Sequence, residues 1–561
     1  MKLLFITCFK ITLLVIAINL TGFSQKETNN WIFGHDNWII INDSGAVGYE
    51  PSYFTAFQTD LILASHSASL SDSDGNLISY TSGTRIYNNQ FQVIESLGNF
   101  YDDDLMIGPK LYIPIYNIPE AFSLLFQSYT GNNNFTVLDY QYNSIDNTFI
   151  PIPLNNDIGG IPKLAATYHL DGRKIWVVTH DTTNVFYAYL INENGLITDT
   201  VHSAIGSFQA DTSTNLCNHA KMGFIKISPG GNFIAMGSYG LNLIELYRFN
   251  NESGVIDNRI ELIQIYPLTF DFSSNGTVLY FSEFKAQWCG GSSPPLDSVP
   301  VFQVDLLAGN EASIIASKFD VKTQFSLYSN QIQGNILQLA SNQKIYVSID
   351  VNYGSNVGVI NHPNLIGAAC NWEDQGVIWP SSYTGANKEI FPSFFTPWLD
   401  FNIITNNAEL CLGDTCLLYT KTNQGFDSIC WDIPDPSLGI ISIPNVDTVS
   451  HCFTEAGVYD VMLKRYRNGN MDQLKKRLYI YPNVSITFPQ DTLLCPGESI
   501  SFTATADSCV FAWANNQGYP LVNSDNIAIN QPGKYWPVIQ NFDNVCGSID
   551  TVEVHYVANE L

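Results

Sequence analysis

Between residues 70 and 350 the chain repeats one phrase, a short polar turn followed by an apolar strand. Asp74-Gly75-Asn76 precedes Leu77-Ile78-Ser79-Tyr80, and Asp171-Gly172-Arg173 precedes Lys174-Ile175-Trp176-Val177-Val178. Pro229-Gly230-Gly231-Asn232, Ser274-Asn275-Gly276 and Ser341-Asn342-Gln343 stand in the same place before Phe233-Ile234-Ala235-Met236, Thr277-Val278-Leu279-Tyr280-Phe281 and Lys344-Ile345-Tyr346-Val347. Gly and Asn supply the positive φ that tight hairpins demand. The strands are rich in β-branched and aromatic residues. Many are apolar on both faces, as in Val185-Phe186-Tyr187-Ala188-Tyr189-Leu190-Ile191. Such a strand needs a layer above it and a layer below. No long stretch carries a 3.6-residue apolar period, so helices should be rare.

Units of about 40–50 residues holding several strands each predict an all-β fold, a β-propeller. The unit count favours seven blades, with six as the alternative. A string of β-sandwiches is the competing fold, but it would show cleaner in/out alternation. A ring must also close. Trp31-Ile32-Phe33-Gly34 and Trp38-Ile39-Ile40-Ile41 precede the first clear unit, and Glu389 to Phe401 follows the last. Strands from both ends are therefore expected to share one blade.

Near Asp400 the phrase stops. Leu410-Cys411-Leu412-Gly413-Asp414 opens one module and Leu494-Cys495-Pro496-Gly497-Glu498 another. Each places a Trp after a central strand, Trp431 and Trp513, and each ends on a Gly-x-Tyr phrase, at Gly457 and Gly533. This is the pattern of small immunoglobulin-like sandwiches. The expected organisation is a signal peptide over 1–24, a propeller over 25–400, and sandwiches over 401–482 and 483–561. The leader expectation rests on Lys2, Lys10, the apolar run Ile11 to Leu20 and the small residues of Gly22-Phe23-Ser24. No later stretch is long and apolar enough to cross a bilayer as a helix.

Export changes the meaning of the 11 cysteines, because an oxidising compartment permits disulfides. Cys8 leaves with the leader. Cys495 with Cys546 is the expected bridge of the last module, leaving Cys509 to pair elsewhere or stay free. Cys411, Cys416, Cys430 and Cys452 allow three connectivities, and Cys217, Cys289 and Cys370 stay open between thiol and bridge. A zinc site is rejected, because close ligand pairs are missing. The chain carries 25 Lys+Arg against 52 Asp+Glu, a formal charge of −27. That balance argues against nucleic acid and against an anionic membrane surface.

Candidate chemistry is sparse. No nucleophile elbow, H-E-x-x-H or phosphate-cradling loop occurs. His169, His180, His202 and His219 fall in the middle units, where a propeller channel would gather them. His180-Asp181 is the leading pair because it ends a core strand, and His169 and His219 complete the channel candidates. Cys217 and His219 match a catalytic pair by residue type only. Asp72-Ser73-Asp74-Gly75-Asn76 and Asp102-Asp103-Asp104 have the oxygen ligands calcium takes, but each reads more simply as a hairpin turn or a solvated loop. Trp288, beside Cys289, would offer a stacking platform for a sugar. No catalytic residue and no metal ligand is assigned.

Several phrases resemble secreted β-propeller proteins of gliding, type IX-secreting bacteria. They are Trp31-Ile32-Phe33-Gly34, Ser71-Asp72-Ser73-Asp74-Gly75-Asn76-Leu77, the run Lys163 to His180, and Val359-Ile360-Asn361-His362-Pro363-Asn364. The resemblance covers residues 30–400. The next module resembles a PKD domain, with Trp431-Asp432-Ile433-Pro434-Asp435 where that family has W-D-F-G-D and Pro434 in place of the glycine. The resemblance implies a secreted or cell-surface location, contact with outer-membrane secretion machinery, and no characterised catalytic residue. Such proteins commonly end in a sorting domain, and a periplasmic location would follow without one. Two functions are expected. The first is a non-enzymatic binding or adhesion protein whose loop face takes an extracellular glycan or protein, with the sandwiches as spacers. The alternative is a propeller hydrolase or lyase acting on polysaccharide or lactone.

Overall fold

The computed structural model describes residues 26–556, apart from short intervals and the longer stretches 50–66, 97–108, 210–222, 284–298, 325–335 and 379–390. The proposed leader, Cys217, His219, Trp288, Cys289, Cys509 and Asp102 to Asp104 lie outside the described residues. The fold is nearly all β, and the described residues hold one α-helix, Glu311–Ala316.

Among the described residues seven sheets follow one another from Asn30 to Ile378. The second to seventh open with the strands Ala68–Ser71, Lys110–Pro114, Leu164–Tyr168, Ile225–Ile227, Pro267–Phe272 and Ile336–Leu339. Each is an antiparallel meander in which the second, third and fourth strands are laid down in order. The first strands of successive sheets contact one another. Apolar clusters form between sheets, so strands are buried on both faces; Ile175–His180 and Phe233–Ser238 are buried throughout. This is the physical origin of the two-sided hydrophobicity in the sequence.

The repeated turn forms identically in five sheets. The amide of the fourth turn residue donates to the carbonyl of the first in Asp72–Gly75, His169–Gly172, Ser228–Gly231, Ser273–Gly276 and Ala340–Gln343. The fourth residue has a positive φ, from 64° at Gln343 to 88° at Gly75. Glycine is required most plainly at Gly276, where a Cβ would lie 2.5 Å from the carbonyl oxygen of Pro229. In the first of these turns the Asp72 carboxylate accepts from the amides of Asp74 and Asn76 and from the Asn76 side chain, which is hairpin chemistry.

The first sheet joins both ends of this body. Its strands Asn30–Phe33, Asn37–Asn42 and Gly45–Tyr49 are completed by Val377–Ile378, which pairs in parallel with the last of them. The joining strand thus lies upstream of Glu389, while Ser393 makes a separate bridge to Ala68. Trp31 seals the joint, fully buried, with its ring centroid 5.7 Å from Tyr346 of the seventh sheet and 5.1 Å from Phe391.

Two further modules follow. In the first, a three-stranded sheet faces a five-stranded one across a core built on Trp431, Leu418, Val461 and Leu463. Pro434 sits inside the strand Ser428–Asp435, and the turn after it is closed by Asp435, which accepts from the amides of Ser437 and Leu438. In the second, the strands surround Trp513, Phe502 and Val552. Each module has a Tyr hydroxyl donating to the carbonyl four residues upstream, Tyr459 to Glu455 and Tyr535 to Gln531.

The cysteine pairing differs from the expectation. Cys546 bonds to Cys411, with the Cα atoms 5.6 Å apart, and Cys495 is an exposed thiol. Strand pairing explains the change. Cys411 lies opposite Tyr481, and Cys546 lies opposite Asn483, so both flank the short link between the modules. Cys495 instead follows a strand paired with Val552–Tyr556, at another edge. With Cys411 committed elsewhere, none of the three pairings inside the first module forms; Cys416, Cys430, Cys452 and Cys370 are thiols.

Candidate functional site

Meander topology sorts the turns of the body onto two sides. Turns between first and second strands, and between third and fourth, fall on one side. Turns between second and third strands, and the crossings to the next sheet, fall on the other. The first side is occupied. The first module lays the hairpin of Gly457–Arg467 and Asn470–Tyr481 against it. Arg465, 1% exposed, donates to Asp472 at 3.0 Å, to Asn402 at 2.5 Å and to the carbonyl of Asn275 in the sixth sheet at 2.9 Å. Arg467 pairs with Asp305 and reaches the carbonyl of Thr277. Asn232 donates to the carbonyl of Gln473, and Arg173 pairs with Glu409 at 2.6 Å while lying over the Tyr479 ring. Three of the five repeated turns, those at Gly172, Gly231 and Gly276, therefore form the docking platform of the first module.

The sequence candidates divide between the sides. His169 belongs to the docked side: its Nδ1 meets Asp171 at 2.9 Å and its Nε2 the carbonyl of Glu252 at 3.0 Å, so it braces a turn. His202 is exposed on a fourth strand, against Tyr187. His180 and Asp181 lie on the opposite side, at the end of a second strand. Asp181 closes its turn by accepting from the amides of Thr183 and Val185. His180 is fully buried, its Nδ1 is 2.7 Å from the carbonyl of Asp181, and its Nε2 has no hydrogen-bond partner. Burial lowers its pKa to about 4, with the nearby Lys163 ammonium acting in the same direction. The structure thus separates His169 from His180, and no channel group is built from the described histidines. Among the described residues no three His, Cys, Asp or Glu side chains are grouped to hold a metal ion.

The centre of the body, on the side away from the module, holds residues that histidine-centred reasoning missed. Lys110, Lys163 and Lys226 lie at or beside three successive first strands. Lys163 is fully buried and donates to Gln209 at 2.5 Å. Burial alone lowers Lys110 to about 7. Lys226 donates to Asp271 at 3.0 Å and to Gln338 at 2.9 Å, and Asp271 also accepts from the amide of Leu339, tying three sheets together. A cavity opens at the entry ends of these strands, lined by Leu111, Lys163, Phe224, Lys226, Phe394 and Thr396 among others. A signal was present in the sequence. Lys226, Asp271 and Gln338 are single polar residues inside the apolar triplets Ile225-Lys226-Ile227, Phe270-Asp271-Phe272 and Leu337-Gln338-Leu339, each just before the repeated turn.

No family model matches the chain, and no curated protein matches it significantly. Among solved structures it is similar to the periplasmic gluconolactonase of Pseudomonas aeruginosa, with 11% identity, a TM-score of 0.30, and 71% of this chain and 91% of that one covered. A putative 6-phosphogluconolactonase from Bacteroides uniformis gives 10% identity and a TM-score of 0.29, over 66% and 85%. The hydrazine synthase of Kuenenia stuttgartiensis gives 10% and 0.33, over 56% and 80%. Likeness at this level carries no argument about this chain. Among the described residues no helix is long and apolar enough to cross a membrane. The Cys411–Cys546 bond fits an oxidising compartment.

Proposed function

We propose that the seven sheets form a seven-bladed β-propeller carrying two immunoglobulin-like sandwiches, the first of PKD type, and that the protein is an exported or cell-surface binding protein. Its ligand is an extracellular glycan, taken on the side opposite the docked module. The observation that carries this reading is the cavity at the centre of that side, flanked by Lys163 and Lys226. The first sandwich acts as a cap on the other side, because Arg465 and Arg467 bury their charges in the joint; only the second is left to serve as a spacer. Passage through outer-membrane secretion machinery belongs to the same proposal. A glycan array probed with the full chain tests it: binding to a defined set of glycans is expected, and a blank array overturns it. Fractionation of native cells tests the location.

A second reading, a hydrolase or lyase on polysaccharide or lactone, draws on one observation, the unpartnered Nε2 of buried His180. It requires turnover that disappears in His180→Gln while the fold persists. Turnover unchanged by that substitution removes the residue, and with it the basis of this reading.

A further inference from the structure

The five-stranded sheet of the first module ends on the strand Gly439–Pro444, with Ser428–Asp435 between it and the hairpin that meets the body. On its inner side the strand pairs with Ser428–Asp435 without a register shift. Just past its end, the amide of Asn445 donates to the carbonyl of Ile429 at 2.8 Å. Opposed residues of an antiparallel pair alternate between bonded and unbonded. Counting back from Asn445, Ile443 and Ile441 bond inward, and Ile440 and Ser442 turn their N–H and C=O groups outward. The prolines agree with this count. Pro444, and Pro434 opposite Ile440, both fall at unbonded pairs, where no N–H is needed. No described residue bonds to the outward groups of Ile440 and Ser442.

An open strand edge is ordinarily shielded by charge, by a bulge or by a covering element. Here Ile440 is 72% exposed and Leu438 is 60% exposed. From Pro436 to Val446 no residue is charged, and the only guard is Pro444 at the strand's end. An edge in this condition suits pairing with another strand.

Charge selects the partner. The chain carries −27 overall, so a second copy is repelled wherever acidic surfaces face each other. Along this neutral run two copies meet without setting like charges together. A twofold antiparallel pairing centred on Ile441 lets Ile440 of each copy exchange both backbone hydrogen bonds with Ser442 of the other, and brings Leu438 opposite Pro444. Such a contact uses the edge completely and stops at two copies.

We propose that Gly439–Pro444 is a self-association surface, through which two copies of the chain join their five-stranded sheets edge to edge. The contact is independent of any ligand on the body.

Sedimentation velocity of the full chain between about 1 and about 100 µM tests it, a range that reports micromolar association. A monomer–dimer equilibrium is expected, tightening as salt screens the repulsion between the two acidic chains. Ser442→Pro removes an outward donor and spares the inner ladder, so dimerisation should weaken about tenfold. It also removes the bond from the Ser442 hydroxyl to Asp432. Ile440→Glu, at an exposed side chain, is the second variant; it sets two carboxylates in the joint and should abolish the dimer. Each variant is checked for a native melting temperature, and if Ser442→Pro fails to fold, Ile440→Glu decides. A native chain that stays monomeric throughout overturns the proposal and leaves the edge to an extended segment of another protein. Association that weakens with salt, or that persists in the folded Ile440→Glu variant, places the contact elsewhere and overturns it equally.

Discussion

The two joints of this molecule are built on opposite principles. The first module meets the seven-sheet body through charges taken out of water: Arg467, 6% exposed at the side chain, pairs across the joint with Asp305, and Arg465, 1% exposed and paired with Asp472 of its own hairpin, donates to the carbonyl of Asn275. Among the described residues the second module is tied to the first by the Cys411–Cys546 bond and by the Asn483 side chain, which donates to the carbonyl of Leu412. The cores of the two modules share no residue. Burying an ion pair costs desolvation that only close geometry and full hydrogen bonding offset. The reward is one orientation, because no other placement satisfies the guanidinium. A disulfide fixes a distance but leaves the surfaces beside it unspecified. The first joint should therefore melt with the body, and the second module should melt by itself.

The strongest way to break that contrast is Arg465→Met. Asp472 would be left buried without its partner, which costs about 3–5 kcal/mol. Denaturant unfolding followed by Trp fluorescence should show the combined transition of body and first module moving to lower denaturant. The double variant Arg465→Met/Asp472→Leu should recover much of that loss, since a buried pair replaced by apolar groups is often nearly neutral. A loss below about 1 kcal/mol in the single variant would mean that the joint is solvated and the comparison mistaken.

Next in size is the covalent joint. Cys411→Ser/Cys546→Ser opens a closure spanning 135 residues of sequence. Loss of such a bond costs about 2–4 kcal/mol. Calorimetry should place that loss on the second module, leaving the main transition where it was. A fall in the main transition instead would show that the bond supports the body.

Lowering the pH separates the body from the second module without mutation. His180 has its pKa lowered by burial from 6.5 to about 4. The unfolded chain therefore takes up a proton that the folded body refuses. Stability from this group is unaffected above pH 6.5 and falls as the pH drops through the window between the two values. At roughly 1.4 kcal/mol per pH unit the loss reaches about 2 kcal/mol near pH 5. His180→Gln should flatten that part of the curve for the body's transition. An unchanged slope in the variant would place the proton uptake elsewhere.

Much of this architecture was legible because it depends on local chemistry. The five turns could be read from Gly, Asn and Asp at fixed offsets from apolar strands, since hydrogen bonding and φ at those positions are decided within four residues. Trp431 and Trp513 were legible as core residues for a similar reason: each stands by a short run of strand-forming residues, and each lies inside a strand, Ser428–Asp435 and Phe511–Asn515. The disulfide was not, because Cys411 and Cys546 meet only after two parallel strand pairs bring their ends together. Sequence distance favoured Cys495, and tertiary pairing decided otherwise. The candidate site failed in an instructive way. His169 and His180 were expected to gather at a central channel, yet they fall on opposite sides of the body. Lys226 and Asp271 are each one polar residue in an apolar triplet, and their convergence depends on the placing of sheets far apart in the sequence, which no local pattern encodes.

The smallest expected effect sharpens the first joint. At its rim Arg477 pairs with Glu252 at 2.8 Å and with Asp460 at 2.7 Å, and all three side chains keep contact with water. Arg477→Ala should cost about 0.2–1 kcal/mol, the range of exposed ion pairs, and raised salt should shrink the difference from the native protein. Arg465→Met should keep its cost in the same salt, because its environment excludes counterions. Equal salt sensitivity at the two positions would dissolve the distinction between rim and centre. The expected contrast makes the buried guanidinium the element that sets orientation, with the rim charges contributing little beyond solubility.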